Sequence, residues 1–291
     1  MYKLGYNEAT MKKHSTLERD VYLCHQFGFD SIELRLDMIR DYLSRHTMDK
    51  LRELIAGCDL RLSYVNALYL PENIHESVTR SCFMEHARKC LDLTREIGVL
   101  GLVLVTPMLA ERDPHVYFEF CCDWPKIHDE MLVVMNELSN MAASYGLKIA
   151  FEPVGFRYCA VRTVRKALQI VERIDSNTLG LTLDLFNIFV DGGCVDYAFI
   201  QTLPVEKIFQ VHISDSAKPF EVNISQSDRT LCGMGVLPIH SFLKQLRQIG
   251  FEGDVSVELF NEFFWNQKPE LIVELAYLTS RTIDLTMDLG E

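Results

Sequence analysis

The sequence predicts an α/β fold, a single (β/α)8 TIM barrel spanning residues 1–291. Three observations lead there. Eight apolar, strand-like runs alternate with amphipathic helical stretches from end to end. No Pro-rich linker, low-complexity segment or shift of composition divides the chain, and 291 residues is an ordinary length for one such barrel of roughly 250 residues. The turn after the first strand, Gly5 to Thr10 (GYNEAT), lacks the glycine-rich phosphate loop of a doubly wound sheet, and no Walker motif or G-x-G-x-x-G stands at a strand–helix junction.

The predicted strands are Lys3–Tyr6, Ser31–Arg35, Leu60–Asn66, Gly101–Thr106, Lys148–Glu152, Leu179–Asp184, Ile208–Ile213 and Asp254–Leu259. Runs such as KIAFE, LGLTLD and IFQVHI are nearly continuous in apolar residues, as strands buried on both faces require. Ser77–Ile97 and Trp124–Tyr145 are examples of long helical stretches, each with an apolar stripe opposite a charged face. Gly28, Gly57, Gly98, Gly146 and Gly250 stand where helices end and suit left-handed C-caps. The longest connection, Ser214–Gly235, follows the seventh strand and is a candidate substrate lid at the barrel mouth.

A formal charge of −12 argues against nucleic acid as a partner, because phosphate binding needs a basic footprint. The nearest basic cluster, Arg157, Arg162, Arg165 and Lys166, reads as a solvated helix start. Nine cysteines without a C-x-x-C pair, two of them adjacent at Cys121 and Cys122, are expected of a reduced protein. The N-terminal residues show no apolar signal region, so a cytoplasmic location is expected. The longest apolar stretch, Val99–Leu109, is interrupted at Gly101, Thr106 and Pro107 and falls short of the ~20 residues that cross a bilayer, so no membrane association is expected.

Four strands in succession end in, or nearly in, a metal-capable residue: Glu152, Asp184, His212 and Glu258. In a barrel the C-terminal ends of the strands face one mouth, so these side chains can converge. A single strand-end carboxylate more often caps a helix or pairs with an arginine. Four in sequence favour a site for one divalent cation, and hard oxygen ligands with one imidazole suit Zn, Mn, Co or Mg. Glu33 and Arg35 end the second strand and either orient substrate hydroxyls or pair with each other. Asn7, Glu8 and Asn66 end neighbouring strands and can line the same pocket. Asp215 reads as a partner for His212 or a loop cap, whereas His86, His128 and His240 fall on helical stretches.

Several stretches resemble the xylose isomerase-like barrel superfamily of sugar and sugar-phosphate isomerases and epimerases, and within it the inosose isomerase branch. They are YNEAT at Tyr6–Thr10, IELR at Ile32–Arg35, NAL at Asn66–Leu68, GLKIAFEPVG at Gly146–Gly155, GLTLD at Gly180–Asp184 and VHISD at Val211–Asp215. The others are the Asp228–Arg229 pair with the G-x-G ending at Gly235, and IGFEGDVSVELF at Ile249–Phe260. They span nearly the whole chain in the family's order. The resemblance implies that Glu152, Asp184, His212 and Glu258 bind one catalytic metal, and that Glu152 and Glu258 also move the proton. Arg229 matches a family arginine that contacts substrate oxygens.

Three positions depart from the family. Asn187 replaces a histidine three residues after the sixth-strand Asp, Phe156 replaces a histidine after Gly155, and Cys232 replaces a proline before the G-x-G. Asn187 and Phe156 therefore join Arg229, Glu33, Arg35 and Asn66 as candidate substrate contacts. The expected activity is isomerisation or epimerisation of a keto-inositol or ketose through a cis-enediolate, with a small polyol or sugar as partner. A dehydratase of inosose or a sugar acid, a non-catalytic sugar-binding barrel and an endonuclease-like barrel are the alternatives. The last needs several more strand-end histidines. The aromatic segment Phe260–Trp265 either closes the pocket or meets a second subunit of a homo-oligomer.

Overall fold

The structure is a computed structural model that describes residues 2–109, 124–221 and 223–288; Cys121 and Cys122 lie outside them. Eight parallel strands close into a barrel: β1 Lys3–Asn7, β2 Ser31–Arg35, β3 Arg61–Tyr69, β4 Gly101–Val105, β5 Lys148–Glu152, β6 Leu179–Asp184, β7 Ile208–Ile213 and, after a small hairpin, β10 Asp254–Val257. Each strand pairs with its neighbours in sequence, and β10 pairs with β1 to seal the ring. β2, β5, β6 and β7 have the limits the sequence predicts. β3 runs three residues further than expected, through a register shift between Val65 and Leu68 where it pairs with β4. Glu258 lies just past β10, its backbone N–H donating to Ile213 O at 3.0 Å.

The helices form by ordinary amphipathic logic. α4 (Ser77–Ile97) buries Phe83, Met84, Ala87, Cys90, Leu91, Thr94 and Ile97, the three- and four-residue spacing of one face. α6 (Val164–Ile174) buries Val164, Ala167, Ile170 and Val171, and Thr163 caps it by accepting from the Lys166 N–H, a device worth about 1 kcal/mol. α1 (Leu17–Phe27) and α3 (Met48–Ala56) begin the same way, at Thr16 and Thr47. α10 (Pro269–Asp288) packs on α1 and on α8 (Ile239–Gln248). No helix among the described residues is long and apolar enough to cross a membrane.

Four of the five predicted helix-ending glycines have positive φ: Gly28, Gly98, Gly146 and Gly250. Gly57 does not. It stays right-handed at φ −76°, its N–H shared between Glu53 O and Ile55 O. The sequence gives no sign that Asp175 takes the left-handed position after α6, at φ 51°. The basic cluster is solvated as expected, with Arg157 and Arg165 exposed and Arg162 paired to Asp191 at 2.5 Å.

The connection after β7 is folded rather than open. It contains an antiparallel hairpin of β8 (Asp215–Ser216) and β9 (Arg229–Thr230). Asp215 organises it, accepting backbone N–H bonds from Ser216 and Leu237 at 2.8 Å and from Gly233 and Gly235 at 3.0 Å. Both glycines are required. Gly233 has φ +78°, and a Cβ on Gly235 would lie 2.1 Å from Ser216 O. Asp215 is thus a loop cap, not a partner of His212.

Candidate metal centre

In a strand, alternate side chains face the same side, so β7 sends both Gln210 and His212 into the barrel interior, while Ser256 on β10 and Glu258 just past its end follow the same alternation. Barrel interiors are usually filled by branched aliphatic residues. This one holds a polar layer of Ser31, Glu33, Asn66, Gln210, His212 and Ser256, all buried.

The four strand-end residues meet. One donor atom each from Glu152, Asp184, His212 and Glu258 lies within 4.8 Å of the others. His212 Nδ1 is 3.6 Å from Glu258 Oε2 and 3.9 Å from both Glu152 Oε1 and Asp184 Oδ2. That nitrogen is buried and has no hydrogen-bond partner. Ligands held about 2.0–2.2 Å from one small cation stand roughly 3–4 Å apart, so the spacing and the bare nitrogen fit a single divalent ion. The charge fits as well, because three carboxylates face one guanidinium and one imidazole.

The electrostatics show how crowded these groups are. Burial, helped by the charges of Glu258 and Asp184, pushes Glu152 well above the carboxylate range. Burial raises Glu258 to about 7, with Asp184 and Glu33 adding to it. Burial also opposes the charge on Asp184, but Arg229 and His212 outweigh it and hold Asp184 low. Burial disfavours the His212 imidazolium, yet the charges of Glu33, Glu258 and Glu152 raise its pKa well above the usual range.

A ring of amides and one guanidinium braces the carboxylates. Asn187, on α7 (Leu185–Val190), donates through Nδ2 to Glu152 Oε1 at 2.9 Å. Asn7 and Asn66 reach Glu258 Oε1 at 3.0 and 3.4 Å. Arg229 donates to Asp184 Oδ2 at 2.9 Å, Ser214 Oγ at 3.1 Å and Gln226 Oε1 at 2.6 Å, and lies 4.6 Å from the Phe186 ring centroid. Its N–H groups are largely committed to the protein, and only 1% of the residue is exposed.

Above the cluster opens a cavity of about 200 Å³, with Asn66, Glu152, Asn187, Arg229 and Glu258 on its polar side and Tyr69, Tyr158, Val105, Met108 and Phe260 on its apolar side. Larger clefts occur beside Glu72 and His75, about 350 Å³, and around Arg61 and Asp254 at the strand starts, about 390 Å³. Neither contains the four-residue cluster.

The structure moves several sequence-predicted residues. Glu33 is fully buried beneath the cluster, bonded to His212, Asn66 and Gln210, and does not line the cavity. It forms no pair with Arg35, which binds Asp37 through Nε at 3.0 Å and Nη2 at 3.1 Å. Phe156 is buried and stacks on Tyr158, which meets the cavity in its place. Glu8 is also buried, accepting from the Arg35 N–H at 2.6 Å. His86, His128 and His240 lie in α4, α5 (Trp124–Tyr145) and α8. Gln210, Tyr69, Tyr158 and Gln226 have no place in the sequence prediction. Only Gln210 carried a signal, as a polar residue two positions before His212 in an apolar strand.

Comparison with known proteins agrees with this geometry. The family described as xylose isomerase-like TIM barrel matches residues 21–281. Inosose isomerase of Bacillus velezensis is 31% identical over 283 residues, covering 97% of this chain and 96% of the relative. Inosose isomerase of Bacillus subtilis is 31% identical over 285 residues, 97% of each. The crystal structure of IOLI protein with a bound zinc atom superposes with a TM-score of 0.88 at 28% identity, over 98% of this chain and 99% of that one. The chain belongs to the xylose isomerase-like TIM barrel family.

Proposed function

We propose that this protein is a divalent-metal-dependent isomerase or epimerase of a keto-inositol or ketose, working by proton transfer through a cis-enediolate. The observation that carries the reading is the convergence of Glu152 and Glu258 with Asp184 and His212 around one buried point at the floor of a polar pocket. The full-length similarity to inosose isomerases supports the substrate class.

Glu152, Asp184, His212 and Glu258 would hold the cation, which when bound supplies the positive charge that polarises a carbonyl and an adjacent hydroxyl. Glu152 and Glu258 come from β5 and the end of β10, on either side of His212. One removes the proton next to the carbonyl and the other returns it. Asn187 and the Asn7–Asn66 pair orient the two glutamates, so that one oxygen of each is fixed by amide N–H groups. Arg229 holds Asp184 in its charged form. Tyr69, Tyr158 and Phe260 give the pocket an apolar wall against which a ring or carbon chain can lie, shielding the reacting carbon from water.

The test is proton NMR in deuterated water with an inosose or a common ketose and added Zn²⁺ or Mn²⁺. Loss of the signal of the hydrogen next to the carbonyl, together with appearance of an isomeric product, is expected. Absence of exchange with every such substrate and metal would refute the reading.

A further inference from the structure

We infer that Glu33 is a positioning residue of the metal centre, which through His212 fixes the imidazole nitrogen offered to the cation. The inference rests on the metal-binding part of the proposed function. Glu33 is 0% exposed, and both of its oxygens lie against His212 Nε2, at 2.9 and 3.1 Å. A carboxylate only accepts, so Nε2 must carry the proton and donate. Nδ1 is then the nitrogen turned to Glu152, Asp184 and Glu258, and it is the ring atom with no partner.

Two further side chains keep Glu33 from turning. Asn66 on β3 donates to Oε1 at 3.1 Å, and Gln210 on β7 donates to Oε2 at 2.8 Å. Gln210 is itself fixed by a second bond to Ser256 Oγ at 2.9 Å. These neighbours all donate, so the site accepts a carboxylate and nothing of opposite polarity. Asn66 also reaches Glu258 Oε1, so the same amide that orients Glu33 touches a second candidate ligand. A negative group behind a ligating imidazole strengthens it as a ligand and sets its ring plane. Glu33 lies outside the cavity lining, which separates this role from substrate contact.

The experiment uses Glu33→Gln, which keeps the shape but turns an N–H toward either His212 or the donating amides. Zn²⁺ and Mn²⁺ affinities of wild type and variant are measured by competition with a chromophoric chelator, with circular dichroism to confirm folding. Affinity should fall by about 10–100-fold. Unchanged affinity, with or without a change in KM, overturns the inference and leaves the metal reading standing. Failure of the wild type to bind either ion overturns both. Nitrogen-15 histidine NMR of zinc-titrated wild type provides a check that needs no variant. His212 should keep its N–H at Nε2 and show none at Nδ1, and the reverse tautomer overturns the inference.

Discussion

Asn187 donates its side-chain amide to Glu152 Oε1 at 2.9 Å while its own Oδ1 stays buried without a partner. The backbone N–H of the same residue donates to Asp184 Oδ1 at 2.7 Å, so one residue touches two of the four candidate ligands. A hydrogen bond to a charged group, which Glu152 would be when it holds the cation, is worth about 1.5–3 kcal/mol. Asn187→Ala should therefore lower kcat by about 10–100-fold in steady-state assays, since each ~1.4 kcal/mol is a factor of ten. A wild-type kcat would show that the bond plays no part in turnover.

Glu258→Gln removes a proton-transfer group while preserving the acceptor at Oε1 for Asn7 and Asn66. Exchange of the substrate hydrogen with solvent should drop by at least about 10²-fold, with unchanged circular dichroism. Retained exchange would remove Glu258 from the chemistry.

Metal addition should stabilise the fold. At a free concentration 100 times Kd, binding to the native state alone adds about 2.7 kcal/mol, seen as a higher melting temperature that a chelator reverses. Asp184→Asn should lose most of that gain. An equal thermal shift in the variant would place the ion elsewhere.

Arg229→Met leaves Asp184 as a buried charge without its guanidinium. Breaking a buried pair from one side costs about 3–5 kcal/mol, which urea unfolding would register. Arg229→Lys should recover only part, since an ammonium cannot reproduce the fork to Gln226, Ser214 and Asp184.

Asp20 supplies a pH dependence remote from the cation site. Burial raises its pKa from 3.8 to about 8, against the opposing Ser15 hydrogen bond. Between those values the folded state keeps a proton that the unfolded chain gives up, so raising the pH weakens the fold. The contribution is whole below about pH 4 and lost as the pH climbs through about 8, at no more than about 1.4 kcal/mol per pH unit. Asp20→Asn should flatten the decline in unfolding free energy between pH 5 and 8. Parallel curves for variant and wild type would show that Asp20 titrates normally.

Much of the barrel and its cation site was legible because a polar residue at the end of an apolar run is conspicuous. Glu152, Asp184 and His212 stand out for that reason, and the barrel topology brings them together. The supporting cast was not legible, because its meaning depends on distances across the barrel. Glu33 and His212 are 179 residues apart in sequence, and nothing local to either announces the bond. Arg229 has the right position, but the chain cannot reveal that its donors are already engaged. The far end of β3 was missed because Ala67 and Leu68 continue past Asn66 through a bulge, where strand and turn look alike in sequence.

The connection after β7 is long enough for a swinging cover, yet it is built as a bracket. Four backbone amides converge on Asp215 at its root, and the second strand of its hairpin carries the guanidinium that reaches across to Asp184. Lifting that segment would withdraw the positive charge from the centre in the same movement. Entrance and charge balance are thereby mechanically one part, and the pocket cannot be widened on that side without altering how its acids hold their protons.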